Sequence, residues 1–300
     1  MDSVIRLTDV KVEREHFILG PLQMEIPRGY ITAIVGPNGS GKSSTFELVL
    51  RISRPDSGRI ERFGETVGDD ASEIAFKQRI GYLPEEANRE ESWMTGTDKA
   101  DFIKFWYPTW NVNRYSDLIR IFEVDPKLKL SKMSKGMRRK FDLAVVLAHN
   151  PEMLLLDEPS SGLDPISWKR MIDIFQKYME AENRTILIAT HIIDEVKRLA
   201  DYIIFMAGGR ILGTYEKDEL LGSWRAFFIR EQDLVGHSGL QELPGFEKSG
   251  AMGGGFIRVV SSKASLAEQW LLGAGIAVSG QNPLELDDIL EVLIETKTDY

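Results

Sequence analysis

Short apolar segments alternate with amphipathic segments along the first two thirds of the chain. Five apolar runs have the length and composition of β-strands: residues 3–12, 30–35, 152–156, 185–190 and 202–206. Three other segments carry apolar residues at helical spacing: residues 43–52, 165–182 and 192–200. Strands that alternate with helices are typical of α/β proteins, so this pattern predicts an α/β core.

Two further parts of the chain have different patterns. Residues from about 88 to 150 are mostly helical in pattern and predict an inserted helical subdomain. After about residue 222 the pattern changes to AFFIR (226–230) and GFIRVVSS (255–262), which predict two strands with a glycine turn before the second. We therefore predict a first domain over residues 1–222 and a small α+β accessory domain over residues 223–300.

The accessory domain is also expected to contain two helices. SLAEQWLLGAG begins with a possible capping box formed by Ser265 and Glu268, and Gly273 is a natural end for this helix. The last helix places five apolar residues on one stripe: Leu286, Ile289, Leu290, Leu293 and Ile294.

Composition sets limits on the function. The 300 residues are 43% hydrophobic and 28% charged, and no apolar run approaches the roughly 18 residues of a membrane span. The first ten residues lack a signal-peptide pattern, so we expect the chain to stay in the compartment where it is made. The absence of cysteine excludes disulfides and thiolate chemistry. A net charge of −9 argues against nonspecific nucleic-acid binding, and no nucleic-acid partner is expected.

The segment GPNGSGKSS, residues 36–44, fits the pattern G-x-x-x-x-G-K-[ST] between a predicted strand and a predicted helix. Glycines let the backbone curl so that its N–H groups point at phosphate oxygens. Lys42 can reach the β- and γ-phosphates, and the Ser43 hydroxyl can bind Mg²⁺. The predicted nucleotide contacts are Asn38, Gly39, Ser40, Gly41, Lys42, Ser43 and Ser44. The alternative is a Gly/Ser-rich turn without chemistry, but the strand before it and the helix after it favour phosphate binding.

A second motif, PEMLLLDEPSSGLDP, spans residues 151–165. Its apolar strand ends in Asp157, whose carboxylate can hold Mg²⁺ through water beside a phosphate loop. Glu158 comes next and can polarise an attacking water as a general base. The alternative is that Asp-Glu-Pro only ends a strand, and the paired phosphate loop favours the catalytic interpretation.

The third motif, MSKGMRRK at residues 133–140, gives the chain a resemblance to the ATP-binding cassette (ABC) family. The family signature is Leu-Ser-Gly-Gly-Gln before a helix, and Lys135 and Met137 depart from it. Ser134 and Gly136 match; they offer a hydroxyl and a backbone N–H at a helix N-terminus, where an anion is stabilised. The resemblance implies that both contact the γ-phosphate bound to the other subunit of a head-to-tail dimer. A simple helix cap is the alternative.

Other matches extend the resemblance over most of residues 1–215. SSGLD (160–164) resembles the loop that crosses the dimer interface, and His191 resembles the switch histidine that contacts the γ-phosphate. Glu85 stands where the family usually has a glutamine that binds Mg²⁺ or positions water. The family has an adenine-stacking tyrosine near residue 13, and Phe17 is the nearest aromatic residue here. It can equally belong to the core.

The resemblance implies a P-loop core of ABC type that hydrolyses MgATP while a dimer closes and reopens. The dimer can be a homodimer or a heterodimer with another ABC ATPase. One expected partner is a separate membrane-spanning transporter subunit, which would place this chain peripherally on the cytoplasmic side of the membrane. The alternative is a soluble ABC ATPase that acts on DNA or ribosomes; long heptad insertions or a second cassette would favour it, and this chain has neither. Three stretches resemble bacterial exporters of antibiotics or peptides: S-K-G-M, FWYPTWN and LDDILEVLIE.

Two groups of side chains allow more than one interpretation. The aromatic residues of FIKFWYPTW (102–110) either fill the core of the helical subdomain or line a groove for a helix of the membrane subunit. Arg138, Arg139 and Lys140 are expected to form a solvated helix face rather than a binding patch.

Overall fold

The fold combines two β-sheets and a helical segment with a C-terminal sheet-and-helix unit. The computed structural model describes residues 2–66, 70–234 and 239–297. The described strands are β1 (Ser3–Arg14), β2 (Phe17–Pro27), β3 (Ile31–Val35), β4 (Ser57–Arg62), β5 (Ile80–Leu83), β6 (Met153–Asp157), β7 (Thr185–Thr190), β8 (Tyr202–Ala207), β9 (Arg210–Glu216), β10 (Arg225–Arg230), β11 (Phe246–Met252), β12 (Phe256–Ser261) and β13 (Val278–Pro283).

The described α-helices are α1 (Lys42–Val49), α2 (Asp70–Arg79), α3 (Gly96–Trp106), α4 (Val112–Phe122), α5 (Lys135–Ala148), α6 (Pro165–Met179), α7 (Ile193–Leu199), α8 (Lys217–Ser223), α9 (Ala264–Gly273) and α10 (Leu286–Lys297). None of the described helices is long and apolar enough to cross a bilayer.

A six-stranded sheet forms the centre of the molecule, in the order β5-β6-β7-β3-β8-β9. The first five strands are parallel, and β9 is antiparallel to β8. Every residue of β3, β6 and β7 is buried, as expected for strands with helices on both faces. The carboxyl ends of β3, β6 and β7 therefore meet at one edge of the sheet, and the phosphate loop after β3, Glu158 after β6 and His191 after β7 lie at this edge.

A second sheet, in the order β2-β1-β4, packs against this core and was not predicted as a sheet. Strand β2 alternates buried and exposed residues over most of its length, with one face toward the core. The sequence pattern predicts β1 but neither β2 nor β4. The α/β fold class is nevertheless confirmed.

The helical segment follows β5 and contains α3, α4 and α5. Phe122 of α4 and Phe141 of α5 are fully buried in a cluster that also contains Leu154 and Leu156 of β6. Helix α5 thus connects the helical segment to the central sheet, which fixes its N-terminus relative to the strand ends.

The C-terminal unit contains a four-stranded antiparallel sheet, in the order β11-β12-β10-β13, with α9 and α10. Both predicted strands and both predicted helices are present. The capping-box prediction is wrong, because α9 begins at Ala264 and its N-cap residue, Lys263, makes no side-chain capping bond. The predicted end at Gly273 is confirmed.

The apolar stripe of the last helix packs onto the central sheet. Leu286, Ile289 and Leu293 of α10 share a buried cluster with Ile203 and Phe205 of β8. The sheet-and-helix unit and the central sheet therefore bury apolar surface against each other, while the domain limits near residue 222 remain a prediction.

Candidate functional site

The phosphate loop lies between β3 and α1 in a conformation that requires glycine. Gly39 and Gly41 have φ angles of +79° and +108°, which strain any residue with a side chain. A Cβ at Gly36 would lie 1.9 Å from the carbonyl oxygen of Met206. The loop is therefore built from backbone, with its curled N–H groups at the N-terminus of α1.

Lys42 is buried and its Nζ donates to the carbonyl oxygens of Gly36 and Pro37, at 2.8 and 3.2 Å. Burial lowers the pKa of Lys42, whereas the carboxylates of Glu158, Asp157 and Glu85 oppose this shift. The ammonium is thus held inside the loop by weak neutral acceptors, which an anionic phosphate can replace.

Asp157 ends β6 and is almost fully buried, and its Oδ1 has no hydrogen-bond partner. Burial raises the pKa of Asp157 to about 6, and the nearby Ser43 hydroxyl opposes this effect. A buried carboxylate oxygen without a partner is costly unless a ligand satisfies it. Asp157 and Ser43 are therefore suited to a cation.

Glu158 is the next residue, with 4% of its surface exposed and a φ of +45°. Two side chains from the end of β7 orient its carboxylate. The Thr190 Oγ1 donates to Oε2 at 3.1 Å, and the His191 Nδ1 lies 2.8 Å from Oε1. The left-handed conformation of Glu158 is uncommon for a residue with a side chain. Thr190 carries no functional signal in the sequence, because only the pairing of β6 with β7 brings it to Glu158.

One open cavity of about 400 Å³ brings most of the predicted residues together. Its lining residues are Phe17, Asn38, Gly39, Gly41, Lys42, Ser43, Ser44, Glu85 and Glu158. Phe17 is half-buried beside Gly41 and faces this cavity, so the structure places it both at the core and at the site. Ser40 is buried behind the loop and does not line the cavity.

Ser134 and Gly136 are not among the described residues that line this cavity. Ser134 caps α5 by accepting a hydrogen bond from the Met137 N–H at 3.2 Å. A Cβ at Gly136 would lie 2.6 Å from the carbonyl oxygen of Gly162. The signature therefore packs against the loop 160–164 of its own chain, away from its own phosphate loop.

The prediction that Arg138, Arg139 and Lys140 form a solvated face of α5 is wrong for the two arginines. Arg138 and Arg139 are 7% and 5% exposed, whereas Lys140 is half-buried. Arg138 forms ion pairs with Glu91 and Asp142, at 2.7 and 2.8 Å. Arg139 bonds to backbone carbonyls around the site. Both arginines face the interior because α5 has protein on two sides, which residue type alone does not indicate.

The aromatic residues of 102–110 differ in burial, so some fit the core interpretation and others fit the interpretation as a contact surface. Phe102, Phe105 and Trp106 are 58%, 81% and 54% exposed, and the Trp106 ring contacts both phenylalanine rings. Tyr107 and Trp110 are half-buried. A neighbouring groove of about 360 Å³ runs between α3, α5 and the central sheet, and Ile103 and Tyr107 are among its lining residues.

The residues present fit MgATP. The loop offers N–H groups and Lys42 to phosphates, and Asp157 offers an unsatisfied oxygen beside Ser43. The described residues contain no cluster of three or more His, Cys, Asp or Glu side chains that could hold a metal ion without other ligands. Mg²⁺ usually binds through one or two carboxylates and substrate phosphates, and Asp157 beside Ser43 can supply the protein part of such a site.

Comparison with known proteins agrees with the fold and the motifs. The family model for ABC transporters matches residues 19–161. The bacitracin transport ATP-binding protein BcrA of Bacillus licheniformis is 30% identical, over 73% of this chain and 72% of that protein. The daunorubicin/doxorubicin resistance ATP-binding protein DrrA of Streptomyces peucetius is 33% identical, over 74% and 67%.

Other relatives are longer than the matched region. The chain spans 63% of the length of an uncharacterised ABC transporter ATP-binding protein of Nostoc sp., at 33% identity over 70% of this chain.

A solved ATP-binding subunit of an ABC transporter has a TM-score of 0.65 at 23% identity, over 73% of this chain and 92% of that one. A dimeric bacterial ABC transporter cassette has a TM-score of 0.62 at 21% identity, over 71% and 98%. The ABC-type P-loop fold is thereby confirmed.

Proposed function

The chain belongs to the ATP-binding proteins of ABC transporters, a family of ATPases, and we propose that it hydrolyses MgATP in the cavity described above. The observation that carries this proposal is the buried Glu158 carboxylate, which Thr190 and His191 orient beside the phosphate loop. A general base needs this fixed geometry next to its substrate.

Each residue of the site has a proposed role in ATP binding or hydrolysis that follows from its chemistry. Lys42 and the N–H groups of the loop bind the phosphates, and Ser43 and Asp157 hold Mg²⁺, with Glu85 as a third candidate ligand. Bound Mg²⁺ would neutralise charge on the β- and γ-phosphate oxygens. Glu158 accepts a proton from the attacking water, while His191 orients Glu158 and faces the γ-phosphate. Phe17 stacks on the adenine.

The Glu158→Gln variant tests the base. It should bind ATP normally but lose turnover by about 10²- to 10⁴-fold, because the amide cannot accept the proton. The Glu152→Gln variant is a matched control, since Glu152 precedes the same strand at its far end and pairs with Arg79. Near-normal hydrolysis by Glu158→Gln, with Glu152→Gln unchanged, would remove Glu158 from this role.

We further propose that the working unit is a head-to-tail dimer, formed with an identical chain or with another ABC ATPase. Ser134 and Gly136 lie outside their own chain's cavity, so they can reach a γ-phosphate only across an interface. Both lie at the N-terminus of α5, which attracts an anion. A solved cassette that shares the fold is dimeric, which supports a dimer as the working unit.

The proposed task is export of antibiotic-like or peptide substrates through a separate membrane subunit, with this chain on the cytoplasmic face. Two relatives carry names of antibiotic transport or resistance, which supports this substrate class. The exposed cluster Phe102, Phe105 and Trp106 beside the groove is a suitable contact for a cytoplasmic helix of that subunit. Contiguous exposed aromatic residues usually mark an interaction surface.

A double variant, Phe105→Ala with Trp106→Ala, tests this contact. Basal hydrolysis should stay unchanged, whereas copurification with the membrane subunit and transport of labelled peptide or drug into vesicles should be lost. Leu272→Ala is the matched control, because Leu272 is 82% exposed on α9 in the C-terminal unit. Retained transport would refute the contact. ATPase stimulation by DNA or ribosomes, without any membrane partner, would overturn the transport proposal.

A further inference from the structure

Arg139 occupies an unusual position among the charged residues of the molecule. It lies in the second turn of α5 with 5% of its surface exposed. Its guanidinium donates to five backbone carbonyl oxygens: Pro84, Glu85, Asp157, Glu158 and Pro159. The bond to Glu158 is 2.6 Å long, and those to Glu85 and Pro159 are 3.3 Å.

These carbonyls belong to two segments that carry functional carboxylates. Pro84 and Glu85 follow β5, and residues 157–159 end β6 and begin the next loop. The two strands are parallel neighbours, so both segments leave the same edge of the sheet. One side chain from α5 therefore joins the backbone of Glu85 to the backbone of Asp157 and Glu158.

The arrangement requires an arginine. Its planar fork has five N–H donors in fixed directions, whereas a lysine ammonium is a single point with three donors. Among the described ion pairs, Arg139 has no carboxylate partner within bonding distance, although Arg138 beside it has two. Burial lowers the pKa of Arg139, and the more distant Asp157, Asp142, Glu195 and Glu85 oppose this effect.

A buried cation that is held only by carbonyl dipoles is a costly way to stabilise a fold. The same five contacts are well suited to orienting a site. Glu85 and Glu158 both line the nucleotide cavity, and their backbone positions determine where their carboxylates lie.

We propose that Arg139 is a positioning residue for ATP hydrolysis: it fixes the backbone of Glu85 and Glu158 to α5, the helix that begins with the signature. This inference rests on the proposed function. Arg139 acts through the two glutamates, so its loss should reduce the rate of hydrolysis more than the affinity for ATP. Because Ser134 is the N-cap residue of α5, Arg139 also couples the signature to the strand ends of its own chain.

The test compares Arg139→Met and Arg139→Lys with the matched variants Arg138→Met and Arg138→Lys. All four remove or alter a buried guanidinium on one helix, so denaturant unfolding should show a loss of stability at both positions. Turnover at saturating ATP should fall by about 100-fold only at position 139, since small misplacements of catalytic groups cost this much. The dissociation constant of a fluorescent ATP analogue should change by less than about 3-fold, because the phosphate loop is untouched.

Hydrogen exchange of the nucleotide-free protein provides a readout that does not depend on hydrolysis. The backbone amides of Glu85, Glu86, Asp157 and Glu158 should exchange faster in both Arg139 variants and should exchange at the wild-type rate in both Arg138 variants. The Lys variant covers the case in which Arg139→Met does not fold. Equal turnover at the two positions, or unchanged exchange in both segments, would overturn the proposal. A wild-type protein without hydrolysis would instead overturn the proposed function, and exchange would still decide whether Arg139 holds the two segments together.

Discussion

His149 gives the protein a pH-dependent stability whose size follows from its environment. The ring is 3% exposed at the end of α5, and it stacks on Tyr107 with 4.0 Å between the ring centroids. Its Nδ1 has no hydrogen-bond partner. Burial lowers the pKa of His149 from 6.5 to about 4. The folded protein therefore holds the neutral ring, and protonation opposes folding.

The sign of the effect follows from this lowered pKa. Above pH 6.5 the ring is neutral in both states, and its contribution to stability is fully present. As the pH falls from 6.5 toward 4, the unfolded chain binds a proton that the folded chain does not, so the free energy of unfolding decreases. Between about pH 7.5 and pH 5.5 this decrease amounts to about 1.3 kcal/mol.

Urea unfolding at the two pH values measures the decrease. The His149→Phe variant keeps an aromatic ring against Tyr107 but cannot titrate, so its loss between the two pH values should be smaller than that of the wild type by about 1.3 kcal/mol. His16→Gln is the control, because His16 is exposed and this variant should retain the full loss. Identical pH dependence in the wild type and His149→Phe would refute the reasoning.

Three other predictions test the site and the fold. Phe17→Ala should weaken ATP binding by about 10-fold while Phe17→Tyr retains it, because an aromatic–base stack contributes about 1–3 kcal/mol; unchanged affinity in a fluorescent-analogue titration would place Phe17 in the core alone. Lys42→Ala chains mixed with Ser134→Arg chains should regain partial ATP-dependent dimerisation, since one of the two composite sites is then intact; no recovery in heterodimers that are shown to form would count against the head-to-tail dimer. Leu293→Ala should lower the free energy of unfolding by about 2–5 kcal/mol and reduce the stability of the ATP-binding cassette as well, whereas Leu272→Ala should change the free energy of unfolding by less than about 0.5 kcal/mol. Cassette stability is measured by ATP-protected unfolding, and an unchanged value in Leu293→Ala would show that the C-terminal unit folds separately.

The parts of the fold that depend on residues close together in the chain could be predicted from the sequence. The phosphate loop is an example, because Gly39 and Gly41 adopt left-handed conformations that the spacing of glycines already requires. The strands β3, β6 and β7 are buried on both faces, so each is a continuous apolar run that is visible without the structure. Asp157 and Glu158 follow such a run, and their position at the edge of the sheet follows from it.

Tertiary structure alone decided which side chains meet and which are buried. Thr190 contacts Glu158 because β7 pairs with β6, and the two residues are 32 positions apart in the chain. Arg138 and Arg139 are charged residues of the kind found on solvated helix faces. Both are nevertheless buried, because α5 packs between the rest of the helical segment and the central sheet. Helical spacing tells which residues share a face of a helix, whereas burial depends on what packs against that face from distant parts of the chain.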